Sequence, residues 1–465
     1  MHAIPVITVF DVGKTNKKIF LFNDEYKIVY EKTQQFAEVT DEDGFPCENL
    51  QLLSAWIKST YQEILKLEEY IIMAINFSSY GASFVHIDEA GKPDTPLYNY
   101  LKPFPEKLKE QFYNKYGGED LISQQTASPS LGNLNSGLQL YRLKYEQPEL
   151  FKRIKYSLHL PQFLSYLITG EKYSDITSIG CHTALWHFEK NDYHAWVYEE
   201  EIDTKLAPIH KGSDVFPISL QNRKVPVGVG LHDSSAALIP YLSSFQEPFI
   251  LISTGTWCIT LNPFNQSPLT SSELKQDCLS YMTFEGNPVK ASRLFAGNEH
   301  EQQTKKIAEH FNVKEDFYKD VEHDAEIIAM LTKGDPEYYS AINEFKGGTE
   351  HSDFDHRNLS DFKSFEIAYH QFMLDIMKQQ LASTNLVLKN SPVKRIFVDG
   401  GFSKNVIYMN LLSTAFPETE VFAASMAQAT SVGAALSIHN SWNEKSLPND
   451  IIELKYYSFT HDKIV

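Results

Sequence analysis

The chain has 465 residues, of which 42 are Lys or Arg and 60 are Asp or Glu, giving a formal net charge of −18; 42% of it is hydrophobic and 22% charged. That length exceeds what one hydrophobic core serves and suits two domains, and the acidic balance opposes binding to phosphate backbones, so nucleic acid and anionic membranes are not expected partners. No run approaches the roughly 20 apolar residues of a membrane helix, no basic-then-apolar leader is visible, and Cys47, Cys181, Cys258 and Cys278 lack CxxC spacing, so a reduced cytoplasmic protein without a disulfide scaffold or a zinc motif is expected.

In chain order, Val6–Asp11 is a β-branched run turned by Asp11-Val12-Gly13. Apolar runs at Ile19–Phe22 and Lys27–Tyr30 follow, so the chain opens as a β-meander. A helix pattern covers Leu50–Leu65 and a buried strand Tyr70–Asn76. The middle is aromatic-rich, with helices predicted at Leu138–Tyr145 and Pro161–Thr169; Pro148 breaks the pattern between them and Pro161 suits a first helical position. A strand at Val225–Val229 runs into Gly230-Leu231-His232-Asp233, and a helix follows over Ser234–Leu242. Pro248–Ser253 and Trp257–Leu261, joined at Thr254-Gly255-Thr256, repeat the opening hairpin. A long helix at Phe365–Leu388, strands at Lys394–Val398 and Glu420–Ala423, and a helix at Thr430–His439 complete the pattern. Two halves, each opening with a hairpin and ending in alternating helix and strand, point to duplicated α/β domains with a boundary near residues 242–248.

Four motifs can carry chemistry, and each also has a purely structural explanation. In Asp11-Val12-Gly13-Lys14-Thr15-Asn16-Lys17-Lys18, a carboxylate at a strand end can hold a metal, while the Gly13 turn, its N–H groups, the Thr15 hydroxyl and a lysine can hold phosphate; a plain hairpin turn also favours Asp and Gly. It is not a P-loop, because Thr8 stands where the first glycine belongs. Asp233, after a strand and before a helix, can accept a proton from a hydroxyl attacking phosphorus, or can simply cap the helix. Ser253-Thr254-Gly255-Thr256-Trp257 and Asp399-Gly400-Gly401-Phe402-Ser403-Lys404-Asn405 let a phosphorylated or flat ligand lie against backbone, or are tight turns. Asn298-Glu299-His300-Glu301 lacks the paired histidines of a zinc helix, the histidines around Asp353–Asp355 read as a solvated loop, and Tyr98-Asn99-Tyr100 reads as core.

The order and spacing of these motifs resemble the FGGY carbohydrate kinases, members of the actin- and hexokinase-like superfamily, over nearly the whole chain. Leu138–Gly170 followed by Asp175-Ile176-Thr177-Ser178, together with Phe77–Val85, resembles the rhamnulokinase and fuculokinase branch; Val398–Asn405 and Ala427–Ala435 resemble the end of the family's nucleotide lobe. The resemblance implies an α/β protein of two actin-like (ribonuclease H-like) domains with a cleft between them. Residues 1–244 would form the sugar-binding lobe with the catalytic Asp, and 245–465 the nucleotide lobe. It implies ATP-dependent phosphorylation of a small sugar, with ATP and Mg²⁺ as cofactors. Asp233 falls on the general base, and Asp11 on the residue that orients the magnesium–phosphate group; both are metal candidates. Gly13, Thr15, Asn16 and Lys18 fall on the phosphate turn, Gly255 and Thr256 on the γ-phosphate contact, and Gly400, Gly401 and Asn405 on the adenosine contacts. Tyr80, Gly81, Asn99 and His232 fall on the sugar side. Lys14, Ser78, Ser83 and Gln428 depart from the family's usual Thr, Asp, Asp and acid. A non-catalytic sugar or ATP sensor on the same fold is the rival expectation, and oligomeric state is open, a homodimer included.

Overall fold

The computed structural model describes residues 3–335, 338, 347–348, 351–426 and 428–458. They form two compact units: unit 1 is Met1–Ser244, Ser280–Pro288 and Gln428–Ile451, and unit 2 is Phe245–Leu279, Val289–Ala427 and Ile452–Val465. A simple cut at residue 244 therefore differs from the structure in two places. Ser280–Pro288 and Gln428–Ile451 return to unit 1, because side chains on both complete its interior.

Unit 1 is built on a five-stranded sheet. Its strands are β1 (Ile4–Val12), β2 (Lys17–Asn23), β3 (Ile28–Gln34), β4 (Tyr70–Ser79) and β5 (Leu231–His232), in the order β5-β4-β1-β2-β3. β1 runs antiparallel to β2, setting Asp11 opposite Lys18, and parallel to β4, setting Asp11 opposite Ser78. With neighbours on both sides and both faces covered, β1 is apolar almost throughout, as buried strands are; Phe10 stacks on Phe77 at 5.7 Å. The helix Leu50–Ile64 covers one face, its first turn capped by the Asn49 side chain accepting from the Leu52 N–H.

The strand expected over Val225–Val229 is broken. Its ladder to β4 persists only through Ile75 N–H to Pro226 O and Gly228 N–H to Ile75 O. Pro226 has no N–H to offer, and a side chain at Gly228 would collide with the Asn76 amide, 2.3 Å from a built Cβ. Gly230, at φ 85°, turns the backbone before β5 starts. Pro148, expected only to interrupt, opens a further short helix, Pro148–Arg153.

The helix Asp233–Ser244 begins where β5 ends, and the returning helix Ala429–Ser437 packs on it. Gly433 permits the approach, since a Cβ there would lie 1.8 Å from Ala236 O. Asn76, buried in β4, donates to Ala434 O (2.7 Å) and Ser437 Oγ (3.0 Å). Ala427, in the stretch that resembles the family, lies outside the described residues.

Unit 2 carries most of a seven-stranded sheet; Ser280–Met282 of one edge strand and Pro288 of the next fall in the stretch assigned to unit 1. The strands are β6 (Phe249–Thr254), β7 (Cys258–Asn262), β8 (Cys278–Met282), β9 (Pro288–Leu294), β10 (Arg395–Gly400), β11 (Glu420–Ser425) and β12 (Glu453–Tyr457), ordered β8-β9-β7-β6-β10-β11-β12. β8, β9 and β12 are short or half-polar and had no clear period in the sequence. The helix Phe365–Leu388 packs its apolar side into the core of this unit, with Phe372 and Ile376 fully buried and Ser364 capping its start. No helix of the described residues is long and apolar enough to cross a membrane.

Candidate active site

In unit 1 the end of β1, the start of the helix Asp233–Ser244 and the start of the helix Ala429–Ser437 bring two carboxylates together. Asp11 Oδ2 accepts from Thr430 Oγ1 and Ser431 Oγ, both at 2.7 Å. Burial raises the Asp11 pKa, the two hydroxyls pull it back, and the charge of Asp233 raises it further. Lys18 lowers it, and its Nζ donates to Gln428 Oε1 at 3.2 Å. The neighbouring Lys17 turns the other way, into a buried ion pair with Glu48 (2.7 Å), so Lys18 is the basic group of this turn that stays near Asp11. Gly13 N–H closes the turn onto Asn16 O at 2.9 Å, Thr15 is exposed, and Asn16 Oδ1 accepts from Gln35.

Asp233 is the first residue of its helix, and its Oδ1 accepts from the N–H (2.6 Å) and hydroxyl (3.3 Å) of Ser234. Its side chain keeps 35% of its surface accessible. Burial, only partly offset by the Ser234 bonds, pushes the pKa up to about 6. Burial raises the pKa of Tyr100, and the Asp233 carboxylate raises it further. Tyr100 in turn packs edge-on against Tyr80, 6.1 Å away. Tyr100 was read as core; its electrostatic link to Asp233 brings it to the site.

His232 Nε2 stands 3.4 Å from Asp233 Oδ1. Its ring stacks on Tyr281 at 5.8 Å, and its N–H donates to Thr177 Oγ1 at 3.0 Å. The Thr177 hydroxyl in turn binds Asp175, so the Asp175–Thr177 pair fixes the backbone just before Asp233. Burial lowers the His232 pKa to about 4, leaving the ring neutral at pH 7. Gly81 must be glycine here, because an added Cβ would lie 2.5 Å from the His232 ring. Asn99 is not brought to these groups: its Nδ2 donates to Pro46 O and its Oδ1 accepts from Leu101 N–H, so it braces its own loop.

Unit 2 holds its own concavity of about 520 Å³, lined by Gly255, Gly297, His300, Tyr318, Gly401, Phe402 and Asn405, among others; that is a size suited to a small organic ligand. The β6–β7 turn and the end of β10 form one wall. Gly400 sits at φ 89°, and any side chain there would strike Thr254 O, 1.9 Å from a built Cβ. Gly401 N–H donates to that carbonyl at 2.9 Å, and the Thr254 hydroxyl donates to Asp399 O at 2.5 Å and accepts from Phe402 N–H at 3.0 Å. Thr256 is exposed in the turn, and its carbonyl accepts from Asn298 N–H at 3.1 Å. Asn405 caps the helix Val406–Ala415 through Tyr408 N–H and donates to the Tyr369 hydroxyl at 2.7 Å, which lies 2.9 Å from His300 Nε2. The Asn298–Glu301 stretch, set aside in the sequence for want of a second histidine, thus supplies His300 to the concavity, while Glu299 is structural and binds Ser352.

Comparison with known proteins places these features. The description of the FGGY family of carbohydrate kinases, N-terminal domain, matches residues 6–239. The description of the carbohydrate kinase FGGY C-terminal domain matches residues 246–446. The chain belongs to the FGGY family of carbohydrate kinases. The rhamnulokinase of Halalkalibacterium halodurans is 25% identical over 170 residues, 36% of this chain and 36% of that protein's own length. In structure, the chain is similar to a carbohydrate kinase from Novosphingobium aromaticivorans (TM-score 0.78, 21% identity, 98% of this chain and 95% of that one). It is also similar to a xylulose kinase from Lactobacillus acidophilus (TM-score 0.76, 14% identity, 98% and 94%) and to Plasmodium falciparum glycerol kinase with ADP (TM-score 0.71, 14% identity, 94% and 90%). At these identities the likeness establishes the two-domain α/β fold.

The electrostatics of the site are open to measurement. The rings of His232 and His300, both lowered to about 4 by burial, are expected to stay neutral down to about pH 5 when their NMR signals are followed against pH. A midpoint near the ordinary histidine value of about 6.5 would put either ring in water and contradict the burial described.

Proposed function

We propose that the protein transfers the γ-phosphoryl group of ATP to a hydroxyl of a small sugar, with Asp233 as the proton acceptor. The observation that carries this reading is the Asp233 carboxylate itself. It opens a helix at the end of a buried strand and is desolvated to a pKa of about 6. At pH 7 such a group is mostly ionised, yet basic enough to take a proton as a hydroxyl oxygen attacks phosphorus. His232, neutral and braced by Tyr281 and Thr177, supplies a ring nitrogen beside it for orienting a sugar hydroxyl. Tyr80 and Tyr100 offer the flat apolar surface against which a sugar ring rests.

ATP is assigned to the concavity of unit 2, with its adenosine against Gly401, Phe402 and His300 and its phosphates towards the Gly255–Thr256 turn. Gly13, Thr15, Asn16 and Lys18 form a turn on unit 1 of the kind that holds phosphate. Asp11 and Asp233 are hard oxygen donors, and the charge of Asp233 raises the Asp11 pKa; such a donor set fits Mg²⁺. When bound there, magnesium would neutralise phosphoryl charge. The Asp11 carboxylate is oriented for that role by Thr430 and Ser431, and Lys18 adds a fixed positive charge. Asn99 is left out of the sugar contacts. A 6-deoxyketose such as L-rhamnulose or L-fuculose is the substrate class favoured, supported by the Leu138–Gly170 resemblance and the partial match to a rhamnulokinase.

Two experiments test this. Coupled ADP release with Mg-ATP across ketoses, aldoses and polyols is expected to show sugar-dependent turnover, highest with 6-deoxyketoses. Asp233→Asn is expected to reduce it by at least about 10³-fold while ATP binding is unchanged; substantial turnover in that variant removes Asp233 from the base role. Gly401 has helical backbone angles, and an added Cβ meets nothing within 4 Å. Gly401→Leu should therefore fill the concavity without disturbing the fold, weakening ATP binding at least about tenfold by calorimetry at an unchanged unfolding midpoint; an unchanged Kd would place the nucleotide elsewhere.

A further inference from the structure

His232 has a second set of neighbours that the reaction does not use. Cys181 Sγ lies 3.5 Å from His232 Nε2, and the ligand atoms of Cys181, His182 and His232 all fall within 4.8 Å of one another, with all three residues buried. Bonds of about 2.3 Å to sulfur and 2.0 Å to nitrogen at tetrahedral angles separate the two donors by roughly 3.5 Å, the distance found. Asp233 Oδ1 lies 3.4 Å from the same nitrogen, a near neighbour outside the three-donor group.

The His182 ring is held in place. Its Nδ1 is 3.1 Å from Leu134 O; a carbonyl only accepts, so Nδ1 carries the hydrogen and that bond fixes the ring. Backbone carbonyls fix metal-binding histidines in the same way. The residue holds this pose on a left-handed backbone, φ 42°, with Ala184 also left-handed at 61°. Residues without glycine's freedom rarely adopt that conformation, and it concentrates at functional sites. Sequence spacing gave no hint of the cluster, since His232 lies 51 residues beyond Cys181 and reaches it only through the fold.

We propose that Cys181, His182 and His232 form a zinc site that, when filled, draws in the Asp233 carboxylate and switches the enzyme off. One sulfur and two imidazoles make a soft to borderline donor set, suited to Zn²⁺ and poorly suited to Mg²⁺, so the site is chemically distinct from the one at Asp11. Binding forms the zinc–sulfur bond as the Cys181 thiol gives its proton to water. The inhibitory half of the proposal rests on Asp233 being the base; metal binding itself does not.

The test uses the full chain without nucleotide and titrates it with Co²⁺. The expected result is a thiolate-to-cobalt charge-transfer band in the near ultraviolet that saturates at one metal per chain and is erased by Zn²⁺. Cys181→Ser should abolish the band and raise the zinc concentration needed for half-inhibition of turnover at least about tenfold, leaving turnover without zinc intact. His182→Gln, with its fold checked by its unfolding midpoint, should weaken cobalt binding by a similar factor and serves if Cys181→Ser does not fold. A missing band, or one that survives in Cys181→Ser, overturns the site. A normal band with turnover indifferent to zinc overturns the switch. If no sugar is turned over at all, the kinase reading fails, while the cobalt band still decides whether the site exists.

Discussion

The hold that Thr430 and Ser431 have on Asp11 joins chain segments some 420 residues apart, and the site in unit 1 depends on it. A carboxylate at the end of a buried strand is costly to keep charged unless its oxygens are hydrogen-bonded. Two hydroxyls at the start of the helix Ala429–Ser437 meet that requirement. The same helix lies on the Asp233 helix through Gly433 and is bonded to β4 through Asn76. One element thereby fixes Asp11, the Asp233 helix and the strand between them, so the spacing of the two carboxylates is a packing distance rather than a loop conformation.

That constraint explains the opposed demands on Asp233. Burial removes water from it, which raises its basicity, while Ser234 supplies only enough hydrogen bonding to keep it ionisable near neutrality. His232, pressed between Gly81 and Tyr281, cannot swing away, and burial denies it the proton that would turn it into a cation competing for Asp233. Preorganisation of this kind suits phosphoryl transfer, in which positioning and charge placement do most of the catalytic work. Unit 2 follows the same economy in backbone form: Thr254 ties the ends of β6 and β10 together, and Gly400 lets them meet.

Much of this was legible in the sequence because it is local. The opening β-meander, the Phe365–Leu388 helix and the strand-end positions of Asp11 and Asp233 follow from periodicity and turn chemistry over a few residues. What was illegible depends on contacts distant in sequence. Thr430 and Ser431 look like ordinary helix-start residues until β1 is seen beside them. Tyr281 lies in a stretch that returns to unit 1, a return no composition shift marks. His300 lacks a partner histidine and was discounted, although its role needs only a wall of the concavity. The Val225–Val229 strand misled because Pro226 and Gly230 interrupt an apolar run that is buried along most of its length but pairs with β4 only at one bridge.

The account's central claim is that a desolvated Asp233 accepts the hydroxyl proton, and the pH dependence of kcat/KM for the sugar at saturating Mg-ATP tests it most directly. Because burial raises this carboxyl from its ordinary value of 3.8 to about 6, the ionised form that can accept a proton disappears as pH falls through that higher value. The account predicts a rate constant that drops about tenfold per pH unit below pH 6 and levels off above it. An acid limb centred near 4, the range of a solvent-exposed carboxylate, or a profile flat from pH 5 to 8, would contradict it.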